Sequence, residues 1–381
     1  MIGAGQVRDQ LILLCTMVTD PAAAHARLAQ LTTVEAGALS SVARAHGVEA
    51  WLAATVPDTM PWQAAREQRT RFLAARTRAV AELRAIGATL AAVGCEWVAL
   101  KGQALAEDVY PRPHLRYGVD IDVLVDPALF RDAVDALVAD GWRLLDANWP
   151  LFLQTLPGEL RLRSPTGALL DLHWHLLSVR ELRTSFRLPT RGLLARRRVL
   201  ASGLPALDPA DQLVHLGVHG ALSGATRLSW LVDAGLAARS GVDLAVVSER
   251  ARVARAGTAL AIVLLRARAW LNTPAPSDLL ARIGVGAGWR GACWLVDQIS
   301  PLDARPDDPS LARAFARSAR QSQAATIGEF ARHGAAWLRS GARRDRTESP
   351  LHNPADARSP LHPVDDPMSR EGYFAAVSAM A

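Results

Sequence analysis

Lysine is almost absent from this chain of 381 residues. Of the 43 basic residues, one is a lysine, Lys101, and the other 42 are arginines. Because arginine serves everywhere else, we expect position 101 to need a compact point charge, as a phosphate beside a tight turn does. The alternative is that this lysine is an accident of composition.

Cysteines and long apolar runs are also scarce. The three cysteines, Cys15, Cys95 and Cys293, show no paired spacing. This excludes a disulfide framework and a zinc knuckle, and it favours buried thiols in a reducing cytoplasm. There is no run of 18 uncharged apolar residues, so we expect no membrane-spanning helix. We therefore predict a cytoplasmic protein that does not act at a membrane.

Several familiar motifs are missing as well. No Gly-x-Gly-x-x-Gly, Walker or Gly-x-Ser-x-Gly pattern occurs, so Rossmann-type binding, P-loop binding and nucleophile-elbow catalysis have no local support. The net charge of +6 is spread diffusely and carried by arginine. Such a charge permits an anionic partner such as a nucleotide. Without a basic stripe, we do not expect a nucleic acid as the partner.

Two carboxylates lie within an apolar stretch, Val119 to Val125. Side chains two residues apart on a strand point to the same face, so Asp120 and Asp122 project together. Neighbouring carboxylates repel each other, and a divalent cation with oxygen ligands compensates for this best. From repulsion alone, Asp122→Asn should leave the metal-free protein at least as stable as the wild type. The alternative is a strand end at which both side chains reach water.

Further residues around this strand are typical of a phosphate and metal site. Lys101 precedes Gly102, which lies between a predicted strand at 96–100 and a helical piece at 103–109. A glycine in such a turn lets backbone N–H groups and a helix N-terminus approach an anion. In a later apolar run, Asp171 provides another carboxylate that is available as a third metal ligand.

Together these pieces resemble the polymerase-β-like nucleotidyltransferase superfamily, and within it a largely uncharacterised bacterial branch. The matching residues are Leu100-Lys101-Gly102-x-Ala104-Leu105, Tyr110-Pro111, Arg116, Asp120-Ile-Asp122-x-Leu124-Val125, Asp171-Leu-His173-Trp174, His219 and Trp230-Leu-Val-Asp233. The resemblance covers roughly residues 60–260. It implies an α+β fold in which a small mixed β-sheet core is flanked by N-terminal helices and a C-terminal helical domain.

The resemblance also implies metal-dependent transfer of a nucleotidyl group from a nucleoside triphosphate. The catalytic and metal-binding residues would be Asp120, Asp122 and Asp171, with Mg²⁺ or Mn²⁺ as the cofactor. The nucleotide-binding residues would be Lys101, Gly102 and Arg116. The acceptor would be an unidentified small molecule or peptide natural product, and phosphoryl transfer at the same site is a second hypothesis. An alternative that is not an enzyme is a catalytically inactive nucleotide-binding accessory protein. Three carboxylates that repel one another argue against it, because an inactive site would not need them.

Histidines near these carboxylates and in the helical part have several interpretations. His173 shares a strand face with Asp171 and could orient a ligand carboxylate, or could simply be a packed polar residue. Asp211, His215 and His219 lie on one helical face. The two histidines have a spacing that can hold zinc, but a third ligand is not obvious, so polar residues lining a groove are the favoured interpretation.

Periodicity and composition predict four segments along the chain. They are an N-terminal helical segment (1–94), a nucleotidyltransferase α/β core (95–205), a C-terminal helical domain (206–340) and a disordered tail (341–381). Within the core we predict strands near 96–100, 119–125, 142–146, 159–163 and 168–174, and a helix over 128–140. The tail is predicted from its polar residues and prolines, while its apolar end either docks or remains free.

Overall fold

Short apolar strands between helical segments give this chain an α+β fold. The computed structural model describes residues 4–118, 120–272, 277–340, 353–364 and 366–381, with the backbone alone at 335–340. Helices account for most of the described residues, and the strands form a mixed sheet. The predicted fold class is confirmed.

The helices largely follow the predicted periodicities. The predicted helix over 128–140 begins with a 3-10 turn at Pro127–Leu129, capped by the Asp126 side chain, and continues as an α-helix. In chain order the α-helices are α1 (Ala4–Thr19), α2 (Pro21–Leu28), α3 (Thr33–Ala45), α4 (Glu49–Thr55), α5 (Gln63–Ala92), α6 (Gly102–Val109), α7 (Phe130–Ala139), α8 (Trp149–Thr155), α9 (Leu182–Ser185), α10 (Thr190–Ala195), α11 (Pro209–Ser223), α12 (Leu228–Ala237), α13 (Leu244–Val253), α14 (Gly257–Leu271), α15 (Ser277–Arg282), α16 (Ala287–Ile299), α17 (Leu311–Arg317), α18 (Gln323–Ser340) and α19 (Pro367–Ser378). None of those in the described part of the chain combines the length and apolar character needed to cross a bilayer.

The strands confirm the five predicted ones and add two short strands. They are β1 (Trp97–Ala99), β2 (Asp120–Val125), β3 (Arg143–Leu144), β4 (Glu159–Arg163), β5 (Leu169–His173), β6 (Arg198–Val199) and β7 (Pro205–Ala206). Their order in the sheet is β3-β4-β5-β2-β1-β7-β6. The pair β2/β5 and the pair β1/β7 are parallel, and the other neighbours are antiparallel. The predicted strand at 119–125 begins at Asp120 in the structure, and Val119 lies outside the described residues.

The chain folds as two compact units. The first contains Met1–Arg76, Val109–Tyr117 and Pro209–Trp337, and the second contains Thr77–Asp108, Gly118–Asp208 and Leu338–Ala381. The segments predicted as 1–94 and 206–340 thus share most of one unit, because α1 packs against α14. Such long-range helix packing leaves no signal in local periodicity. All the named strands belong to the second unit.

Alternation along β2, β4 and β5 places a set of core side chains on one face of the sheet, although Leu124 and Leu169 are apolar residues of the other face. The buried core side chains on this face are Ile121, Val123, Val125, Leu160, Leu162, Leu170 and Leu172. Because side chains alternate along a strand, the residues between them point to the opposite face. That opposite face carries the charged residues of the candidate site.

The C-terminal residues correct the prediction of a disordered tail over 341–381. In α19, Tyr373, Phe374 and Val377 are buried in the core of the second unit. The backbone N–H groups of Ala147 and Asn148 donate hydrogen bonds to the Pro360 carbonyl at 2.9 and 3.1 Å. The apolar residues of α19 form one stripe that is buried. The polar composition of the whole tail did not indicate this stripe. The remainder of that prediction, at 341–352 and 365, lies outside the described residues.

Candidate active site

Three neighbouring strands bring five polar side chains into two adjacent rows. In the parallel pair β2/β5, Asp122 is directly opposite Asp171. In the antiparallel pair β4/β5, Arg161 is opposite Asp171, and Glu159 is opposite His173. Residues opposite each other in a sheet share a face. The register therefore gathers these side chains on the face away from the apolar core.

The Asp122 carboxylate lies between two cations. Its Oδ1 atom is 3.0 Å from Lys101 Nζ and 3.2 Å from His173 Nε2, and its side chain is only 5% exposed. Burial alone would raise the pKa of this carboxyl. The Lys101 ammonium and the His173 imidazole outweigh burial and hold the pKa of Asp122 far below its usual range. Asp122 is therefore ionised throughout the neutral range.

Lys101 reaches Asp122 because β1 and β2 are antiparallel neighbours. The Leu100 N–H donates to the Asp122 carbonyl at 3.1 Å, so Lys101 immediately follows a residue bonded to Asp122. Gly102 then begins α6 with φ +57°, and a Cβ at this position would have open space. The left-handed backbone, and not crowding, is what favours glycine here. The turn that we predicted between a strand and a helical piece is present.

His173 connects Asp122 to a second carboxylate. Its Nδ1 atom lies 3.0 Å from Glu159 Oε2, while Nε2 faces Asp122. Burial lowers the pKa of this imidazole, but Glu159 and Asp122 reverse the effect and raise its pKa to about 10. The pKa of Glu159 is lowered: burial opposes the shift, and His173 drives it. His173 thus contacts two carboxylates, and its role in orienting a metal ligand stays a prediction.

Asp171 has the opposite electrostatic environment. Burial first, and then the negative charge of Asp122, raise the pKa of this half-buried carboxyl to about 7. Arg161, across the strand pair, instead donates to the Asp146 carboxylate from its guanidinium at 2.7 and 3.0 Å and from its backbone N–H at 2.7 Å. Asp171 can therefore exchange a proton near neutral pH.

Three neighbouring side chains could supply ligands to a divalent cation. Asp122, Asp171 and His173 each offer one ligand atom, and the three atoms lie within 4.8 Å of one another. Asp120 is two residues before Asp122 on the same strand face, at the exposed start of β2, and its charge contributes to the raised pKa of Asp171. Carboxylate oxygens suit Mg²⁺ or Mn²⁺, and a bound cation would relieve the repulsion that Asp171 experiences. The imidazolium form of His173 would have to lose a proton before acting as a ligand.

Arg116 belongs to the first unit and forms a buried ion pair there. Its Nε and Nη2 atoms donate to Asp233 at 3.1 and 3.0 Å, and the Tyr110 hydroxyl donates to the same carboxylate. These three residues all belong to the matching sequence pieces, so part of that pattern is explained by this cluster. A phosphate-binding role for Arg116 stays a prediction.

The histidines of α11 make ring contacts and do not complete a metal-sized group within the described ranges. The rings of His215 and His219 are 5.9 Å apart, and Asp211 lies 3.7 Å from Arg250. His219 also meets Trp230 edge-on. These contacts favour ring packing over a zinc site, and the predicted groove-lining role stays a prediction.

Sequence reasoning missed Glu159, Arg161 and Asp146. The first two were predicted to lie on a strand, and the alternation Glu-Leu-Arg-Leu-Arg over 159–163 shows that charged residues share one face. That signal could have identified the face, but not the strand beside it. Asp146 carries no such pattern, and only its ion pair with Arg161 reveals it.

Comparison with known proteins gives one match to a family. The profile of a family described as "Uncharacterised nucleotidyltransferase" matches residues 32–272, more than half of the chain. The matched range includes the carboxylates of β2 and β5, the turn at Gly102 and the Tyr110–Arg116–Asp233 cluster. A search of curated proteins found no match.

Proposed function

Because the chain belongs to this family of uncharacterised nucleotidyltransferases, we propose that it moves a nucleoside monophosphate group from a nucleoside triphosphate to an acceptor, as polymerase-β-like enzymes do. The observation that carries the proposal is the pairing of Asp122 with Asp171 across adjacent strands, beside Lys101. Three kinds of group meet there: metal ligands, a cation for phosphate, and a carboxyl that titrates near neutral pH. Nucleotidyl transfer needs all three.

Asp120, Asp122 and Asp171 would hold Mg²⁺ or Mn²⁺. When bound, the metal would neutralise triphosphate charge and acidify the acceptor hydroxyl. His173 keeps the Asp122 carboxylate in place through Nε2, while Glu159 holds the opposite side of the imidazole ring. These contacts would hold the Asp122 carboxylate in position before the substrate binds. This lowers the free-energy cost of reorganising the site during the reaction.

Lys101 and Gly102 would bind the phosphates. The Lys101 ammonium contacts the Asp122 carboxylate. We expect it to contact a phosphate bound beside this carboxylate as well. The left-handed turn at Gly102 leaves open space where a side chain would start, which lets an anion approach the backbone. Asp171 would take the acceptor's proton, because it lies beside Asp122 on the side of β2 away from the Gly102 turn.

Each nucleoside triphosphate, labelled in turn on its α- and γ-phosphate and supplied with Mg²⁺, tests this proposal. Nucleotidyl transfer releases pyrophosphate and leaves the α-label on the acceptor. Phosphoryl transfer, our second candidate, releases a nucleoside diphosphate. Binding with neither product would support the accessory-protein alternative. Asp171→Asn is the matched control, because it preserves shape and removes the proposed base.

The protein's cysteines bear on where this reaction would take place. Cys15, Cys95 and Cys293 are free and buried. Free thiols persist in reducing compartments, so we place the enzyme in the cytoplasm. Fractionation of cells, followed by immunodetection of the protein in each fraction, would test this location.

A further inference from the structure

The second unit contains a cavity of about 630 Å³ that opens beside the candidate metal ligands. Asp171, Glu159 and Arg161 line it from the sheet, Phe152 lines it from α8, and Pro360 lines it from the C-terminal segment. This volume is in the range of cavities that hold drug-sized molecules. The cavity and the proposed metal site therefore share one residue, Asp171.

The order of the strands places this cavity opposite the proposed phosphate site. Along the sheet the order is β4-β5-β2-β1. The Lys101–Gly102 turn follows β1, whereas the cavity is lined from β4 and β5, with the carboxylates of β2 between them. In nucleotidyl transfer the attacking oxygen and the leaving pyrophosphate lie roughly in line on opposite sides of the α-phosphorus. A triphosphate at the Gly102 turn would therefore direct its reacting phosphorus toward the cavity.

The walls of the cavity differ in chemistry. The sheet contributes charged residues, and α8, Pro157, Val179 and Pro360 contribute apolar surface. The charged residues of the lining are of both signs, four carboxylates and three arginines, and Asp146 and Arg161 form an ion pair. A nucleic acid would meet about as many carboxylates as arginines there, which weakens phosphate binding. An apolar molecule with a polar end matches these walls better.

We propose that this cavity binds the acceptor, and that the acceptor is a small alcohol or phenol whose hydroxyl sits on an apolar body. This inference rests on the proposed function. The hydroxyl oxygen forms a bond to the α-phosphorus as its proton passes to the Asp171 carboxylate. The bond from the α-phosphorus to the bridging oxygen breaks, and pyrophosphate leaves with that oxygen.

The C-terminal wall of the cavity lies outside the part of the chain that matches the family. Arg358 and Pro360 line it, yet both lie beyond the range 32–272 that matches the family. The segment is held by the hydrogen bonds from Ala147 and Asn148 to the Pro360 carbonyl. Acceptor choice is thus set partly by residues outside the family pattern.

A cavity-blocking cysteine tests this proposal. Thr155, an exposed residue at the end of α8, lines the cavity, whereas its exposed neighbour Gln154 is not part of the lining. We would label Thr155→Cys and the control Gln154→Cys with N-benzylmaleimide. The three natural cysteines are buried, which raises the pKa of each thiol to about 12 and protects it from the reagent.

The probes are 4-methylumbelliferone and tyrosol as amphipathic hydroxyl compounds, with glucose and total RNA as competitors. We expect both amphipathic probes to bind the wild type and the labelled control alike. We expect the labelled Thr155→Cys protein to lose at least about tenfold in affinity for them. Its affinity for Mg²⁺ and a non-hydrolysable triphosphate should remain unchanged. The α-label should pass to an amphipathic probe in the wild type and in the labelled control only.

Several outcomes overturn the inference. These are equal probe binding by both labelled variants, no probe binding by the wild type, or preferential transfer of label to glucose or RNA. A failure of the proposed function looks different: no nucleoside triphosphate then yields pyrophosphate, while probe binding still reports separately on the cavity. In that case the acceptor role is withdrawn together with the proposed function.

Discussion

Asp122 and Asp171 face each other across neighbouring strands, but their surroundings stabilise opposite protonation states. Asp122 is buried against Lys101 and His173, whereas Asp171 is half-buried among other carboxylates. The first is held as an anion and the second resists ionisation. A pair of acids separated in this way gives one permanent anion and one group able to exchange a proton.

Asp122→Asn should destabilise the metal-free protein, contrary to the expectation from repulsion alone. The substitution leaves Lys101 and His173 buried without their carboxylate, a loss of about 3 kcal/mol. Because the folded pKa of Asp122 is depressed, its contribution is present above the unfolded pKa of about 4 and lost as pH falls further. Urea unfolding at pH 7.5 with EDTA measures the effect. The exposed Asp120→Asn is the control, and equal stabilities for the two variants would contradict the ion pairs.

Asp171→Asn should stabilise the metal-free protein at alkaline pH. The folded pKa of about 7 is above the ordinary value of 3.8, so the wild type loses stability as pH rises from about 4 through 7. An amide has no such cost, and the variant should gain up to about 4 kcal/mol at pH 8. The gain should vanish as the pH approaches 4. Unfolding curves in EDTA across this range test the sign, and a pH-independent difference would refute it.

Lys101→Arg should lower kcat strongly while affecting nucleotide affinity less. The charge is kept, so attraction of the triphosphate persists. A planar guanidinium beside Asp122 and the Gly102 turn would misplace the phosphates, and small misplacements can cost about 100-fold in rate. Pyrophosphate release and nucleotide binding, measured separately, test the split. Wild-type turnover by this variant would show that the lysine is an accident of composition.

At the scale of elements, aromatic contacts hold helix α19 against the core of the second unit. Phe374 packs against Phe130 and Trp149, with ring centroids 6.1 and 5.7 Å away. The Tyr373 hydroxyl accepts a hydrogen bond from Trp174 Nε1 and donates one to the Pro157 carbonyl, each at 3.1 Å. Helix α19 is therefore part of the core that supports the cavity.

Phe374→Ala should lower the free energy of unfolding by about 3 kcal/mol, because it opens a cavity among buried aromatic rings. Met368, on the same helix, is 80% exposed. Met368→Ala should change stability by less than about 0.5 kcal/mol. Urea unfolding of both variants tests the docking of the helix, and similar stabilities would argue that α19 does not pack on the core.

Local sequence signals predicted where strands and helices lie better than they predicted which strands pair. Alternation and turn residues correctly predicted the strand that carries Asp122, the turn at Gly102 and the strand that carries Asp171. They could not show that these two strands are parallel neighbours, since pairing depends on contacts distant in the chain. For the same reason the ion pairs of Asp122 with Lys101 and His173 were not foreseen. The composition of the tail hid α19, because polar residues outnumber its apolar stripe.

At the scale of the whole molecule, the residues that carry the resemblance to nucleotidyltransferases are divided between the two units. Lys101, Asp122 and Asp171 belong to the second unit, and the Arg116–Asp233 pair belongs to the first. The pattern therefore combines one candidate catalytic cluster with one structural cluster in a helical unit. A sequence profile alone does not separate these two kinds of residue.

Asp233→Asn should destabilise the first unit selectively. The Arg116 guanidinium and the Tyr110 hydroxyl would lose a buried carboxylate partner, at a cost of about 3 kcal/mol. Hydrogen exchange, read by peptide, should rise in α11 and α12 and stay unchanged along β2 and β5. The exposed Asp243→Asn, which removes only a helix cap, serves as the control. Exchange that rises equally in the sheet would show that this pair supports the whole chain.

The solitary lysine also gives the protein a single scissile bond for an endoproteinase that cuts only after lysine. That bond, Lys101–Gly102, lies in the turn beside Asp122, and the Lys101 side chain is only 14% exposed. The protease can cut this bond only when the turn unfolds locally. The digestion rate therefore measures how often the turn opens. Two fragments on a gel would thus report local opening beside Asp122 without a substrate, a label or an engineered residue.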